Sequence, residues 1–216
     1  MGVGLLVVIG KQGAGKGTQC SRLAERYHVP HVATGDMLRA AVRSGSDLGN
    51  RVRSIMDEGH LVPDDLITDV VAARLAEPDA AHGAVLDGYP RTQAQAIALE
   101  GIAAPRGIAR CILLDVATDV VVRRLSARRV CSNCGWVFSA DPPPGPSECT
   151  NCGGPVVQRA DDTPEAIEER LLAYEQETAP LLEHYREAGI LSIVDGDGTL
   201  DEVFEKLVAV VDAVHS

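Results

Sequence analysis

Residues 10–19 read G-K-Q-G-A-G-K-G-T-Q and follow directly on an apolar run, Leu-Leu-Val-Val-Ile, at 5–9. Apolar residues with helical spacing come next, between 23 and 27, so this stretch predicts a strand, a glycine-rich turn and a helix. Glycines allow successive backbone N–H groups to face a polyphosphate, and the N-terminus of the helix adds partial positive charge. Lys16 supplies an ammonium group for the outer phosphates, and Thr18 supplies a hydroxyl for a phosphate oxygen or Mg²⁺. An ordinary glycine-rich turn is the alternative, but glycines at 10, 13 and 15 together with Lys16 and Thr18 favour a phosphate-binding loop.

The composition restricts the classes of partner. The 216 residues carry a formal net charge of −11, which disfavours nonspecific binding to nucleic acid or to an anionic membrane. Lysine occurs only at Lys11, Lys16 and Lys206, so arginine supplies nearly all the positive charge, and its planar guanidinium matches phosphate geometry. No apolar segment is long enough to span a bilayer, and the run at 5–9 is too short for a secretion signal. We therefore expect a cytoplasmic protein without a membrane partner.

Apolar runs alternate with helical patterns along the chain. Strands are predicted at 5–9, 31–33, 84–86, 111–114 and 191–194. Helices are predicted at 37–44, 48–58, 66–76 (capped by Asp64 or Asp65), 164–187 (interrupted at Pro180) and 200–214. This alternation favours a parallel sheet with right-handed crossovers, on which ligands bind beyond the carboxyl ends of the strands. Four residues that lie just past strand ends are therefore expected to converge: Gly10, Thr34, Asp87 and Asp115.

Further motifs, taken together with the loop, resemble those of a known family. They are T-G-D-M-L-R at 34–39, D-G-Y-P-R-T at 87–92, and a cysteine-containing segment flanked by arginines. Over nearly its whole length the sequence resembles the adenylate kinase family of the long-lid, zinc-binding type. The resemblance implies an α/β fold: a P-loop NTPase core with a five-stranded parallel sheet flanked by helices, a helical AMP-binding insert and a zinc-ribbon lid. The implied boundaries are 1–33, 64–124 and 163–216 for the core, 34–63 for the AMP-binding insert and 125–162 for the lid.

The same resemblance implies a reaction, the reversible transfer of the terminal phosphoryl group of Mg-ATP to AMP to give two ADP. A kinase for another nucleoside monophosphate is the nearest alternative. The second pKa of a phosphate monoester is about 6, so the acceptor phosphate is largely ionised near pH 7 and needs no general base. The protein has instead to position two polyanions, neutralise their charge and exclude water. The implied partners are ATP, AMP and ADP, and a monomer is the default expectation.

Carried over residue by residue, the resemblance assigns three groups of site residues. The expected ATP-binding residues are Gly13, Ala14, Gly15, Lys16, Gly17, Thr18, Arg124 and Arg128. The expected AMP-binding residues are Thr34, Gly35, Arg39, Leu61, Val62, Gly88, Arg91, Gln95, Arg159 and Arg170. The expected catalytic residues are Lys16, Asp87, Arg91, Arg128, Arg159, Asp161 and Arg170. Among these, Asp87 would hold Mg²⁺ through its waters, Asp161 would orient arginines, and Gln95 offers the donor and acceptor that an adenine edge requires.

Neighbouring residues leave some alternatives open. Arg123 and Arg129 lie next to the expected Arg124 and Arg128, so the register of these arginines rests on the motif match. The run Asp162-Thr163-Pro164-Glu165 is typical of a helix start, with Asp162 or Thr163 at the cap and proline at the first helical position, and a capping role is predicted for Asp162. Gln12 stands where the family usually has proline, which would loosen the loop without changing the chemistry.

Two Cys-x2-Cys pairs, at Cys131/Cys134 and Cys149/Cys152, are separated by the fourteen residues 135–148. This spacing favours a tetrahedral zinc site, and four thiolate ligands favour a structural metal over a catalytic one. Disulfides are the alternative pairing, and iron or cobalt would also fit four thiolates. The Pro-rich stretch from Asp141 to Pro146 excludes a helix or a central strand. Because zinc ribbons often bind nucleic acid, an alternative function is that of an NTPase-linked nucleic-acid-binding protein. Against this function, no lysine or arginine lies between the first and last of these cysteines.

Overall fold

The computed structural model describes residues 2–104, 106–139 and 145–213; the predicted turn residues 141–144 and the predicted helix end at Val214 lie outside these ranges. A five-stranded sheet runs through the centre, with strands β1 (Gly4–Ile9), β2 (His31–Ala33), β3 (Gly83–Asp87), β4 (Ile108–Asp115) and β8 (Leu191–Asp195). The strand order is β2-β3-β1-β4-β8, and every neighbouring pair is parallel. Each predicted strand is confirmed, with ends that differ by at most a few residues.

The sheet has an apolar layer on each face because side chains alternate along every strand. In β1, Leu5 and Val7 lie in one buried cluster, whereas Leu6 and Val8 lie in the other. All four are at most 1% exposed, as expected for a central parallel strand covered on both faces. The helices that cover the sheet are α1 (Lys16–Tyr27), α4 (Asp64–Leu75), α5 (Gln93–Ala103), α6 (Thr118–Ser126), α7 (Pro164–Ala173), α8 (Leu181–Glu187) and α9 (Leu200–Asp212).

Two further helices, α2 (Thr34–Ser44) and α3 (Asp47–Asp57), fill the segment between β2 and α4. Helix α2 begins directly after β2, three residues earlier than the sequence indicates, so Thr34 lies in its first turn. The side chain of Ser46 accepts a hydrogen bond from the Gly49 N–H and caps α3. Val52 of α3 is fully buried in the same cluster as β1, which anchors this helical segment to the sheet.

A small antiparallel sheet of order β6-β5-β7 lies between α6 and α7. Its strands are β5 (Arg128–Cys131), β6 (Val137–Ser139) and β7 (Val156–Val157). Trp136, Val137 and Val157 are 55%, 54% and 43% exposed, so the apolar side chains of this sheet do not form a closed core. The stability of such a small unit has to come from another source.

Two predicted helix caps are wrong. At the start of α4 no side chain caps the helix, and the carboxylate of Asp64 binds Thr92 and Gln95 instead. At the start of α7 the hydroxyl of Thr163 accepts from the Ala166 N–H, so Thr163, the alternative cap, is confirmed, while Asp162 contacts a cluster of arginines instead. Both acidic residues also have long-range partners, which the local sequence cannot reveal.

Candidate active site

The glycine-rich loop connects β1 to α1 and has a conformation that its glycines permit. Gly13 and Gly15 have φ angles of 85° and 97°, in the left-handed region that favours glycine. A Cβ on Gly13 would also lie 2.7 Å from Cγ of Leu125. Gly15 directly precedes α1, so the loop delivers its backbone N–H groups to the N-terminus of a helix.

Lys16 lies inside this loop. Its Nζ donates to the carbonyl oxygens of Gly10 at 2.7 Å and Lys11 at 2.9 Å. Burial lowers the pKa of the Lys16 ammonium to about 8, although the nearby Asp87 carboxylate acts in the opposite direction. The ammonium thus has only carbonyl partners in the loop, and a phosphate oxygen would provide a stronger, charged acceptor.

Asp87 ends β3 directly beside the loop. Burial raises the pKa of its carboxyl, but the neighbouring His31 and Lys16 outweigh burial and hold that pKa below its usual range. One carboxylate oxygen lies 3.4 Å from Nε2 of His31, and a Cβ on Gly17 would come 3.4 Å from the same oxygen. The Asp87 carboxylate is therefore ionised and lies within reach of the first turn of α1. This position suits a carboxylate that holds Mg²⁺ through its water molecules.

A cleft with about 560 Å³ of empty space opens beyond the carboxyl ends of β2 and β3. Its lining includes most of the expected AMP-binding residues together with Asp161: Thr34, Gly35, Arg39, Leu61, Val62, Gly88, Arg91, Gln95 and Arg170. A second, smaller cleft beside the loop is lined in part by Gly10, Gln12 and Lys16. Gly88 and Arg91 line both clefts, so the two spaces adjoin at these residues.

Arg91 is held in place by backbone contacts. Its Nε donates to the carbonyl of Gly88 at 2.7 Å, and its own carbonyl accepts from Thr178 Oγ1 at 2.9 Å. Thr34, only 2% exposed, donates to the same Gly88 carbonyl at 3.0 Å. Burial, aided by the Arg170 charge, lowers the pKa of Arg91 to about 10.

A second group of arginines lies around Asp161 and Asp162. Asp161 contacts Nε of Arg159 and Nη1 of Arg170, each at 3.1 Å, so one carboxylate pairs with two arginines. Burial, with a contribution from the nearby Arg39 and Arg128 charges, lowers the pKa of Arg159 to about 9. Its Nη2 is buried and has no hydrogen-bond partner among the described residues. A buried, unpartnered guanidinium N–H among other cations favours an anionic ligand.

Asp162 belongs to this group as well. Its side chain is fully buried and accepts from Nε and Nη2 of Arg128 at 2.7 and 2.5 Å. The same carboxylate lies 3.2 Å from Nη1 of Arg170. Asp162 thus joins the first residue of β5 to an arginine on α7, a role that the prediction of a helix cap did not include.

The arginines of α6 and β5 that were considered as ligands of the nucleotide contact the glycine-rich loop less closely than Lys16 does, or not at all. Nη1 of Arg124 donates to the Ala14 carbonyl at 3.4 Å, whereas Arg123 is exposed. Arg129 donates to the carbonyls of Ser126 and Arg128. The placement of Arg124 against the loop agrees with the register chosen from the motif. Asp115, expected to converge with the loop, has an exposed side chain and lines neither cleft.

The four cysteines of the small sheet form a compact cluster. Their sulfur atoms all lie within 4.8 Å of one another, with 3.4 Å between Cys131 and Cys152 and 3.6 Å between Cys134 and Cys149. All four are free thiols, and these separations are too long for disulfides. Zn–S bonds of about 2.3 Å in a tetrahedron place sulfur atoms about 3.8 Å apart, so the cluster fits a four-thiolate zinc site.

The sequence model of the family described as "Adenylate kinase" matches residues 8–190. The chain belongs to the adenylate kinase family. It is 47% identical to an adenylate kinase of Trichlorobacter lovleyi over 208 residues, covering 94% of this chain and 97% of the relative. It is 42% identical to an adenylate kinase of Archaeoglobus fulgidus over 215 residues, covering 98% and 99%, and 43% identical to one of Kosmotoga olearia over 206 residues, covering 94% and 96%. The five-stranded parallel sheet flanked by helices agrees with the fold of the family.

Membership in the adenylate kinase family does not explain every buried polar group of the site. Asp162, His31 and Asp64 contact Arg128, Asp87 and Gln95, respectively, and none of the three was predicted to do so. Each pair is separated by at least 31 residues along the chain, so no local spacing signals the contact.

We expect Asp162→Asn to lower the free energy of unfolding by about 3–5 kcal/mol, because it leaves Arg128 without its buried counter-ion and removes one of the two carboxylates that contact Arg170. Urea denaturation of the protein without nucleotide would measure this change. Asp79→Asn is the matched control, because Arg74 binds Asp79 with two hydrogen bonds of 2.8 Å on the surface. Solvent screens that pair, so we expect a much smaller change. Equal losses in the two variants would show that burial of Asp162 contributes nothing.

Proposed function

We propose that the chain transfers the terminal phosphoryl group of Mg-ATP reversibly to AMP, giving two ADP, at the junction of the two clefts. Membership in the adenylate kinase family supports this reaction. The observation that carries the site assignment is that Arg91 lines both the cleft beside the phosphate-binding loop and the larger cleft. A group at that position contacts the donor and the acceptor at once, as a direct transfer requires.

The loop and the residues beside it form the proposed ATP site. Backbone N–H groups of 13–18 would surround the β and γ phosphates, and the Lys16 ammonium would exchange its carbonyl partners for phosphate oxygens. Arg124 and Arg128 would lie over the nucleotide from the side of α6. Asp87 would hold Mg²⁺ through water, and the ion would supply positive charge between the phosphates of ATP.

The larger cleft is the proposed AMP site. Arg39 and Arg91 would bind the AMP phosphate, and Gln95 would bind the adenine edge against the apolar wall of Leu61 and Val62. Arg159 and Arg170 would reach the phosphate that moves, since the unpartnered Nη2 of Arg159 is available for it. Asp161 would hold both guanidinium groups in position.

Transfer at this site requires no general base. The acceptor oxygen is already ionised near pH 7, and the arginines and the Lys16 ammonium stabilise the charge that develops during transfer. Residues 34–63 and 125–162 are proposed as two inserts that close over AMP and ATP, respectively. Their closure would exclude water and thereby prevent hydrolysis of ATP.

The cysteine cluster is proposed as a structural zinc site. The small sheet that carries the cluster has exposed apolar side chains, and β5 forms three residue pairs with β6 and two with β7. A bound metal would stabilise this sheet in place of an apolar core. The four thiolates leave no open position for catalysis. We further propose a cytoplasmic monomer without a nucleic-acid partner, because the net charge is −11 and residues 132–151 contain no lysine or arginine. In the described part of the chain, no helix has the length and apolarity needed to cross a membrane.

Among AMP, GMP, CMP and UMP, we expect AMP to be the preferred acceptor by a wide margin. A coupled assay of ADP formation with Mg-ATP, giving kcat/KM for each acceptor, would measure the preference. Gln95→Leu should reduce that preference, because leucine offers neither donor nor acceptor to the base. Gln93→Leu is a suitable control: Gln93 is exposed on the same helix and binds His184 at the surface. A protein that phosphorylates another monophosphate faster than AMP would support the alternative kinase.

A further inference from the structure

The side-chain amide of Gln95 is held from two sides. Its Oε1 accepts from the backbone N–H of Arg91 at 2.7 Å, and its Nε2 donates to Oδ1 of Asp64 at 2.7 Å. A backbone N–H can only donate and an ionised carboxylate can only accept, so a single orientation of the amide satisfies both partners. Rotation of the amide by 180° would place donor against donor and acceptor against acceptor.

The carboxylate of Asp64 is itself fixed. Its second oxygen accepts from Thr92 Oγ1 at 2.8 Å, and Thr92 Oγ1 in turn accepts from the Gln95 N–H at 3.2 Å. Asp64, Thr92 and Gln95 thus form a closed ring of hydrogen bonds that joins the first turn of α4 to the first turn of α5. Asp64 does not line the larger cleft, whereas Gln95 does. Of the side chains that line that cleft, the one that binds the Asp64 carboxylate is Gln95.

The orientation of the amide decides which purine edge it can bind. One N–H of Nε2 and one lone pair of Oε1 remain after the two internal bonds are made. Adenine presents a donor at N6 beside an acceptor at N1, and an amide fits this pair in one orientation. Hypoxanthine and guanine present the reverse, an acceptor at O6 beside a donor at N1, and need the amide rotated by 180°. A fixed amide distinguishes the two classes, and a freely rotating one does not.

We propose that Asp64 is a positioning residue that fixes the orientation of the Gln95 amide and thereby selects adenine over 6-oxopurines as the acceptor base. This inference rests on the proposed function, in which AMP occupies the larger cleft. It adds a residue that does not contact the substrate and assigns it a role in base selection.

The test compares kcat/KM for AMP and IMP, measured as ADP formation from Mg-ATP, in the full-length protein and in Asp64→Asn. IMP carries the 6-oxo edge without the extra amino group of guanine, so the comparison isolates the reversed donor and acceptor. Asparagine keeps the shape of aspartate but presents one donor and one acceptor. Either Nε2 or Oε1 of Gln95 can then face residue 64, so this residue no longer selects one orientation of the Gln95 amide. We expect the AMP-to-IMP ratio to fall several-fold but by less than about tenfold, the discrimination typical of one amide–base pair, because the Arg91 N–H still favours the original orientation.

Asp65→Asn is the matched control, because Asp65 is exposed in the same first turn of α4. Both variants lose one negative charge at the N-terminus of the helix, so the effect on the helix dipole is shared. We expect the AMP-to-IMP ratio of Asp65→Asn to equal that of the unmodified protein. If Asp64→Asn does not fold, Asp64→Ala removes the acceptor without adding a donor and provides the same comparison.

A double-mutant cycle separates positioning from a general structural role. In the Gln95→Leu background, Asp64→Asn should change the ratio no further, because the amide through which Asp64 acts is absent. The inference would be overturned by an unchanged ratio in Asp64→Asn, or by an equal fall of the ratio in the presence and absence of Gln95. In either case, phosphorylation of AMP by the unmodified protein would still support the proposed function. An unmodified protein that makes no ADP from ATP and AMP would instead overturn the proposed function.

Discussion

Lys16→Ala should lower kcat by about 10²–10³-fold, because it removes a preorganised cation from the position where charge develops during transfer. The ammonium already lies in the loop on the carbonyls of Gly10 and Lys11, so a phosphate oxygen could take over its hydrogen bonds with little movement. Steady-state assays with Mg-ATP and AMP at saturating concentrations would measure the loss. A parallel thermal denaturation should show little loss of Tm, because burial of this ammonium is itself unfavourable, as its lowered pKa indicates.

Lys206→Ala is the charge-matched control for this experiment. Lys206 is an exposed lysine on α9 whose Nζ binds the Asp195 carboxylate at 2.9 Å on the surface. We expect its kcat to equal that of the unmodified protein. Retention of full activity in Lys16→Ala, or an equal loss in both lysine variants, would contradict the assignment of the loop as the ATP site.

Cys149→Ser should abolish zinc binding and unfold the small sheet at 128–157 while the central sheet remains folded. A structural zinc ion contributes on the order of 10 kcal/mol to folding in isolated zinc-finger peptides, and this sheet has no closed apolar core to replace it. Metal analysis should give one zinc per chain before the substitution and none after it. Subtilisin should then cleave between 128 and 157 much faster, and treatment of the unmodified protein with a strong chelator should have the same effect.

Cys111→Ala is the control for the cysteine variant. Cys111 is fully buried in β4, in the core cluster of the central sheet and apart from the four-cysteine cluster. It should keep one zinc per chain and the same rate of cleavage in the small sheet. Zinc that remains bound in Cys149→Ser, or resistance to subtilisin that is unaffected by the chelator, would show that the cluster is not a structural metal site.

The features that could be predicted from the sequence are those that depend on residues close together along the chain. The glycine-rich loop needs small residues at fixed positions, and Gly13 and Gly15 have the positive φ angles that this requires. The cysteine pairs are close in sequence, and their sulfur atoms form one cluster. The five strands follow from apolar runs long enough to be buried on both faces. In each case the pattern lies in consecutive or closely spaced residues, so the sequence carries the information.

Residues with two possible partners were assigned incorrectly from sequence. Asp162 and Asp64 each lie at the start of a helix, where a local backbone N–H and a distant side chain compete for the same carboxylate. The local partner is visible in the sequence, whereas Arg128 and Gln95 become partners only after the chain has folded. Burial decides the competition in favour of the distant group, since an unpaired buried guanidinium or amide is costly.

The sequence by itself determined the five strands of the central sheet, the phosphate-binding loop, the pairing of the cysteines into one candidate site and the family. Only the tertiary structure decided that Arg91 lies between two clefts, that Asp162 joins Arg128 to Arg170, and that Asp64 fixes the amide of Gln95. The physical reason is that periodicity and spacing report which residues are buried and which turns are possible. The choice among hydrogen-bond partners depends on distances that exist only when distant segments pack together.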